Sequence, residues 1–559
     1  MFSKRHSLVL VYAFILGILL WLVLYPNLYL LVQSFLSTRH FTLEHYREFF
    51  TSPSQVQALG NSIWISAASV VLSALIGIPL AFLFTRYEFP GRQLFASLAS
   101  LPVLLPPLVG VIAFLFLYGE SGILNRSLQR WVGRSEPFFA LRGAGAILFV
   151  HAYTMYVYFY LFVSAGLKRI DHSLAEAARS LGASRLRTFL TITLRQLTPS
   201  LVGASLLTFM TSMASFSAPY IFGGSVRVLA LQIYNSKLNG DLKLSMVETV
   251  ILASTSILFL LLLQRYEGTG KFRSANKGAS WSPTQVTHKG ARFAAGFLGV
   301  ILVILLLLPH LTLILLSFVK DGTWTTEILP PEYTVDNYIR LFSTPDSLEP
   351  IFNSLEMAFL ATLGNFVFAM LAAYLMAQKQ VRGRFFLGSL IILPWALPGT
   401  VLALSLATTF SQNRPWEARL LLVGTYWILP LAYFIRNIPV VVRAVQSSFE
   451  QMDPALDEAA RLLGGKWFYR FARVTFPLVL PGAVAGSLLA FVTALGEFVT
   501  SIVIYTLGNR PISIEILSQL RQFNFGSAAA YSVLLIILIG AAFIISGKYF
   551  SESGGRAPI

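Results

Sequence analysis

Two stretches of this 559-residue chain share one pattern. The first is Asp171-His172-Ser173-Leu174-Ala175-Glu176-Ala177-Ala178-Arg179-Ser180-Leu181-Gly182. The second is Asp453-Pro454-Ala455-Leu456-Asp457-Glu458-Ala459-Ala460-Arg461-Leu462-Leu463-Gly464. Asp, Leu, Glu-Ala-Ala-Arg, Leu and Gly recur at identical offsets, 282 residues apart. Asp171 and Asp453 suit a helix N-cap, and Pro454 suits the first helical position. Ser173 with Glu176 offers an alternative capping-box start. Gly182 and Gly464 suit the position just past a helix end. Leu174, Ala178 and Leu181 fall on one face, as do Leu456, Ala460 and Leu463. A helix this short is marginal alone. It is suited to a groove on a partner protein or to an anionic lipid surface. Two matched copies favour a two-fold protein partner, because lipid does not require Glu-Ala-Ala-Arg at fixed spacing.

The surroundings are apolar. Hydrophobic residues make up 55% of the chain and charged residues 12%, about half the charged share of a soluble protein. The net charge of +17 fits a nucleic-acid binder only if the cations cluster on a soluble domain. They do not, so no nucleic-acid partner is expected. Without cysteine, disulfides, thiolate metal sites and thiol catalysis are excluded. The seven histidines contain no i, i+4 pair, so no metal site is expected. The apolar run from Leu8 to Tyr25 exceeds a signal-peptide core and precedes no small-x-small cleavage site. It reads as a retained first span.

A span needs about 20 mostly apolar residues. Twelve candidates appear, near 8–32, 61–85, 94–118, 143–166, 197–222 and 246–264, then 293–318, 353–377, 385–410, 419–440, 478–507 and 528–547. Residues 265–292 between the two sets are rich in Gly, Ser, Thr, Lys and Arg, the composition of a flexible linker. The expected domains are therefore 1–264, a cytoplasmic linker over 265–292, and 293–559. The halves match at further points: Asn61-Ser62 with Asn353-Ser354, Gly91-Arg92 with Gly383-Arg384, and Pro102 and Pro106 with Pro394 and Pro398. These prolines are expected to kink the third and ninth spans. Six spans per half make the repeat parallel. With the N-terminus inside, 27 of the 42 Lys and Arg lie on the inner side, against nine of the 25 Asp and Glu. The positive-inside rule then places both termini and both Glu-Ala-Ala helices in the cytoplasm.

Glu-Ala-Ala, three residues, Gly, and an apolar-x-apolar-Pro downstream resembles the coupling loop of bacterial ATP-binding-cassette (ABC) importer permeases. The second half carries the full pattern in Glu458-Ala459-Ala460, Gly464 and Val474-Thr475-Phe476-Pro477. The first half has Arg195 in place of that Pro, a departure that could alter how the next span begins. The resemblance covers nearly the whole chain. It implies an all-α membrane protein of the type I ABC importer permease fold, with about 12 transmembrane helices in two parallel six-helix repeats. Coupling helices are implied over 171–182 and 453–464. Asp171, Glu176, Ala177, Ala178 and Gly182 would contact one copy of a cytoplasmic ABC ATPase. Asp453, Glu458, Ala459, Ala460 and Gly464 would contact a second copy. A periplasmic solute-binding protein would deliver cargo, the location being the bacterial inner membrane. Two permease domains in one chain look most like ferric-iron importers, with thiamine, polyamine and phosphonate importers as near neighbours.

The chain lacks a phosphate loop. Gly268-Thr269-Gly270-Lys271 has Arg265 and Phe272 where that motif needs Gly and Ser/Thr. ATP and Mg are therefore expected on the partner ATPase, with no cofactor or catalytic residue here. A major-facilitator transporter also has six plus six spans. Its Asp-Arg loop after the second span is not matched by Arg86-Tyr87-Glu88-Phe89-Pro90-Gly91-Arg92. Glu497, inside the eleventh span, is costly there unless it faces a cavity or pairs with an Arg. Glu497 and its counterpart Ser215 are expected along the translocation path. Phe216 and Phe498 beside them are gate or packing residues. Arg436 lies near an inner span end, from which it can snorkel.

Overall fold

The computed structural model describes residues 2–37, 40–170, 172–269, 284–285, 288–324, 327–377, 383–412 and 420–555. Most of the expected linker, 270–283 and 286–287, lies outside the described residues, as does Asp171. Among the described residues ten helices are long and apolar enough to cross a membrane, and eleven if one bent pair counts as a span.

In the first repeat the principal helices are α1 (Val9–Ser34), α2 (Pro53–Arg86), α3 (Pro107–Tyr118), α4 (Gly143–Leu167), α5 (His172–Ser180), α6 (Leu194–Met213), α7 (Ser217–Phe222), α8 (Leu229–Leu238) and α9 (Leu242–Thr269). The second repeat gives α10 (Lys289–Leu316), α11 (Pro345–Ala377), α12 (Arg384–Ala396), α13 (Gly399–Thr409), α14 (Ile428–Gln451), α15 (Pro454–Leu462), α16 (Phe476–Leu495), α17 (Val499–Ile504), α18 (Ile512–Arg521) and α19 (Phe525–Gly555). The missing twelfth span is α6. It is 20 residues long but carries Arg195, Gln196, three threonines and three serines. That polarity takes it below a membrane span by composition.

Pro106 and Pro398 break their spans rather than kink them, while Pro394 sits inside α12. Leu397, before Pro398, is extended (φ −100°, ψ 134°), as the proline ring requires of its predecessor. α12 and α13 consequently meet at 105°. Leu105, before Pro106, is extended as well, and separates a 3₁₀ turn from α3.

The chain forms two compact units: residues 46–333, and residues 1–45 with 334–559. Their boundaries do not follow the repeats expected at 1–264 and 293–559. Span α1 belongs with the second repeat's helices, and α10 with the first's. In the second unit α1 packs on α11 and α13, and the Ser405 hydroxyl donates to Asn27 Oδ1 (3.1 Å). In the first unit α10 packs on α3, and Tyr153 donates its hydroxyl to the Leu306 carbonyl. Compactness follows whichever apolar faces meet, and sequence order does not dictate that.

Each unit has a core of four packed helices: α2, α4, α6 and α9 in the first, and α11, α14, α16 and α19 in the second. Ser62, Ser66, Ser69 and Ser73 form a buried stripe along α2. Small residues let membrane helices approach closely. At Gly77, further along α2, a Cβ would come within 2.4 Å of the Tyr156 carbonyl oxygen on α4. The corresponding stripe on α11 is Ser354, Ala358, Ala361 and Asn365, also buried. Asn365 Nδ2 donates to the Phe434 carbonyl (3.0 Å).

Candidate functional site

The two repeated motifs form α5 and α15. At α15 the Asp453 carboxylate accepts the Ala455 N–H (2.9 Å), the expected N-cap. Both helices end in the same motif. Gly182 and Gly464 adopt φ +85° and +80°. The Gly182 N–H donates to the Arg179 carbonyl and that of Ala183 to Ala178. Gly464 and Gly465 repeat the pair with Arg461 and Ala460. This is the Schellman arrangement, which satisfies otherwise unpaired carbonyls.

Glu176, Ala177, Glu458 and Ala459 are exposed, while Ala178 and Ala460 are half-buried. Leu181 and Leu463 are each 89% exposed. Each helix therefore presents leucines that no described residue covers. The underside differs between copies. Ala175 and Thr188 are buried in the first. In the second, the same positions are Asp457 and Arg470, joined by an ion pair (Nε–Oδ1 2.9 Å). Arg470 is followed by Phe471, which stacks on Trp467 at 5.5 Å, and Trp467 Nε1 donates to the Tyr374 hydroxyl (2.9 Å). The first copy has Arg185 in place of Trp467. Arg195 leaves its helix unchanged: a five-residue π-helix precedes both α6 (Phe189–Thr193) and α16 (Phe471–Thr475).

Each unit also holds a polar centre at the far end of α6 or α16. In the second unit Glu497 Oε2 pairs with Arg436 Nε at 2.8 Å, with side chains 10% and 29% exposed. Arg436 thus does not snorkel: a carboxylate within reach outweighs the distance to water. Glu497 Oε1 accepts the Thr500 N–H (2.9 Å), and its backbone carbonyl accepts the Ser501 and Ser513 hydroxyls. Because the Ser501 proton is so used, Tyr433 donates to Ser501 Oγ (2.7 Å). Thr493 donates to the Asn437 side-chain oxygen. Gly399 gives the pair room, since a Cβ there would lie 3.2 Å from Arg436 Nη1.

In the first unit Ser215 occupies the Glu497 position and His151 that of Tyr433. His151 is buried on α4. Its Nε2 lies 2.8 Å from Ser215 Oγ, and its Nδ1 lies 2.9 Å from Ser69 Oγ and 3.2 Å from Ser212 Oγ. Ser69 gives its own proton to the Ile65 carbonyl (2.7 Å). The set is satisfied with the ring proton on Nδ1 and Ser215 donating to Nε2. A lone histidine gave no sequence signal. Aligning the repeats, which places it opposite Tyr433, was the signal available. Phe216 and Phe498 are both buried, and Phe216 stacks on Tyr220 at 5.5 Å. Among the described residues no cluster of three His, Asp or Glu is placed to hold a metal ion.

The recurring Asn-Ser pairs have a structural task. Asn61 Nδ2 donates to the Arg227 carbonyl (2.9 Å), and Ser62 Oγ accepts the Leu229 N–H (2.8 Å). Asn353 and Ser354 do the same with Arg510 (3.2 Å) and Ile512 (2.7 Å). Both pairs pin the loop leading into α8 or α18.

The family model described as the binding-protein-dependent transport system inner membrane component matches twice, over residues 73–267 and 365–552. The "probable ABC transporter permease protein" of Sinorhizobium fredii is 30% identical, covering 90% of this chain and 88% of its own length. The ferric transport system permease protein of Actinobacillus pleuropneumoniae is 25% identical over 94% of this chain and 77% of its own. The sulfate transport system permease protein of Escherichia coli is 34% identical over 36% of this chain and 75% of its own. Two family domains, each with its own capped surface helix, thus lie in one polypeptide: the chain is a multi-pass inner-membrane ABC importer permease belonging to the family of binding-protein-dependent transport system inner membrane components.

Proposed function

We propose that this permease moves Fe(III), handed over by a periplasmic solute-binding protein, into the cytoplasm. Two copies of a cytoplasmic ABC ATPase bind α5 and α15, one copy each, and carry the ATP and Mg. Closing of the ATPase dimer drives alternation between inward-open and outward-open states. Both termini lie on the ATPase side. The observation that carries the coupling role is the pair of helices with the same C-terminal cap, each exposing Glu, Ala and, just past its end, a leucine 89% accessible. Exposed apolar side chains on a short helix mark a groove-binding element.

The ferric relative supports iron, because its similarity spans 94% of this chain. Fe(III) is a hard cation favouring oxygen donors, and Glu497, Ser215 and the neighbouring hydroxyls are of that kind. We place Glu497 and Ser215 on the translocation path, with Phe216 and Phe498 leaving their buried positions as the gate opens. Sulfate is the second reading, supported by a relative that matches only 36% of the chain. Uptake of ⁵⁵Fe(III) and of ³⁵S-sulfate, each into cells lacking their own importers, separates the two. Iron uptake that falls at least tenfold in Glu497→Gln supports the path. Unchanged uptake removes the carboxylate from transport. Retention of the ATPase during purification, lost when Leu181 and Leu463 both become Asp, tests the coupling role.

A further inference from the structure

In the first unit α8 packs against both α2 and α9. Where the three meet, Glu248 of α9 is fully buried and Gln55 of α2 nearly so. The buried Ser236 hydroxyl on α8 donates to Glu248 Oε1 (3.0 Å). The Gln55 side chain reaches the same carboxyl group. Glu248 Oε2 and Gln55 Oε1 are both buried, and neither accepts a hydrogen bond from any described residue. A buried acceptor without a partner is costly. A buried charge is ordinarily paired or bound to a metal ion. Lys237 and Lys243, which flank the turn between α8 and α9, bond to other groups. Asp241 in that turn stays exposed and caps α9, its Oδ1 accepting the Leu244 N–H (3.0 Å).

The second repeat shows the same place closed. The Asn-Ser pins align the repeats here, setting Ser347 for Gln55, Gln519 for Ser236 and Tyr531 for Glu248. Tyr531 donates its hydroxyl to the Ser347 carbonyl (2.7 Å), which ties α19 to α11. None of these three side chains is left with an unpaired buried atom. The same helices and turn thus form with no carboxylate at this position. Glu248 therefore serves something other than the fold, and it brings two acceptor oxygens where the second repeat has one finished hydrogen bond.

We propose that Glu248 Oε2 and Gln55 Oε1 hold a small monovalent cation such as Na⁺, which ties α9 to α2 as Tyr531 ties α19 to α11. Both donors are oxygens, the kind that hard cations take. One buried carboxylate balances one positive charge, so a single charge suits the site. A water molecule could donate to both oxygens, but it would leave the carboxylate charge uncompensated. The site is separate from the Glu497 centre and does not depend on which solute is carried.

The full chain in detergent is tested for ²²Na⁺ binding by scintillation proximity, with N-methylglucamine chloride holding ionic strength constant. One saturable site per chain is expected, weakened at least tenfold in Glu248→Gln, which keeps an oxygen for Ser236 and removes the charge. Gln55→Ser combined with Glu248→Tyr installs the residues with which the second repeat folds, and should abolish the site. Thermal unfolding gives a second readout. Sodium should raise the wild-type midpoint relative to N-methylglucamine and leave that of the double variant unmoved. No saturable ²²Na⁺ binding, or equal binding by wild type and Glu248→Gln, overturns the proposal. So does a wild-type midpoint that rises on acidification without responding to sodium, because the carboxyl group then holds a proton in place of the ion. Neither measurement includes the ATPase or uptake, so the result stands apart from the transport reading.

Discussion

The two repeats share a fold and differ most where each places polar groups inside the membrane. At matching positions the first unit has His151 and Ser215, and the second has Tyr433 and Glu497. The first solution is a neutral cluster of three hydroxyls around an imidazole. The second is an ion pair braced by a backbone N–H. Neutral hydrogen bonds are individually worth about 1 kcal/mol. Breaking a buried ion pair from one side costs about 3–5 kcal/mol, because the remaining charge stays desolvated. The same scaffold therefore carries a robust centre in one unit and a conditional one in the other.

Arg436→Met tests that difference most severely. It strands the Glu497 carboxylate, and because Arg436 is 29% exposed the loss is expected near the lower limit, about 3 kcal/mol. Adding Glu497→Gln should restore most of it, since a side-chain amide oxygen still accepts the Thr500 N–H. Chemical denaturation in detergent measures both. A single variant no less stable than wild type would show the pair to be dispensable. His151→Phe leaves hydroxyls that can turn to backbone carbonyls within their own helices. Its expected cost is smaller, about 1–3 kcal/mol. If it exceeds that of Arg436→Met, the ranking of the two centres is reversed.

The undersides of α5 and α15 repeat the contrast. Ala175 and Thr188 are buried without a charge to balance, whereas Asp457 and Arg470 form an ion pair. Asp457→Ala alone is expected to reduce ATPase retention several-fold, by loosening α15. Asp457→Ala with Arg470→Thr copies the first repeat and should recover it. Pull-down of the ATPase with each variant reads the coupling, and additive losses would show that the pair does not act as a unit.

Much of this was legible in the sequence because it was written twice. The repeat located both helices, their glycine ends and the prolines at which the third and ninth spans are interrupted, although it pointed to kinks where the chain breaks. The exchange of α1 and α10 was not legible, because an apolar span carries no mark of which neighbour buries it. Arg436 is misplaced by sequence for a related reason. Near the end of an apolar segment, reaching water and reaching a carboxylate leave the same pattern, and only three-dimensional proximity to Glu497 decides. α6 reads as a span from its length and flanking elements, although its hydroxyls lower its hydropathy. Those hydroxyls include Ser212, which serves the His151 cluster.

The smallest expected effect concerns Arg195. Proline inside a helix removes an N–H and crowds the carbonyl four residues back, at about 3 kcal/mol. Pro477 in the second repeat is preceded by the π-helix Phe471–Thr475, whose wider turn relieves that crowding. The first repeat has the same π-helix over Phe189–Thr193, with the exposed Arg195 following it. The wide turn therefore does not need the proline, and the site is already shaped to receive one. Arg195→Pro is expected to change stability by no more than about 0.5 kcal/mol, the range of an ordinary surface substitution. ATPase retention should be unchanged. A loss near 3 kcal/mol in the same denaturation assay would mean that the Arg195 N–H is needed, and that the first turns of α6 and α16 only look alike.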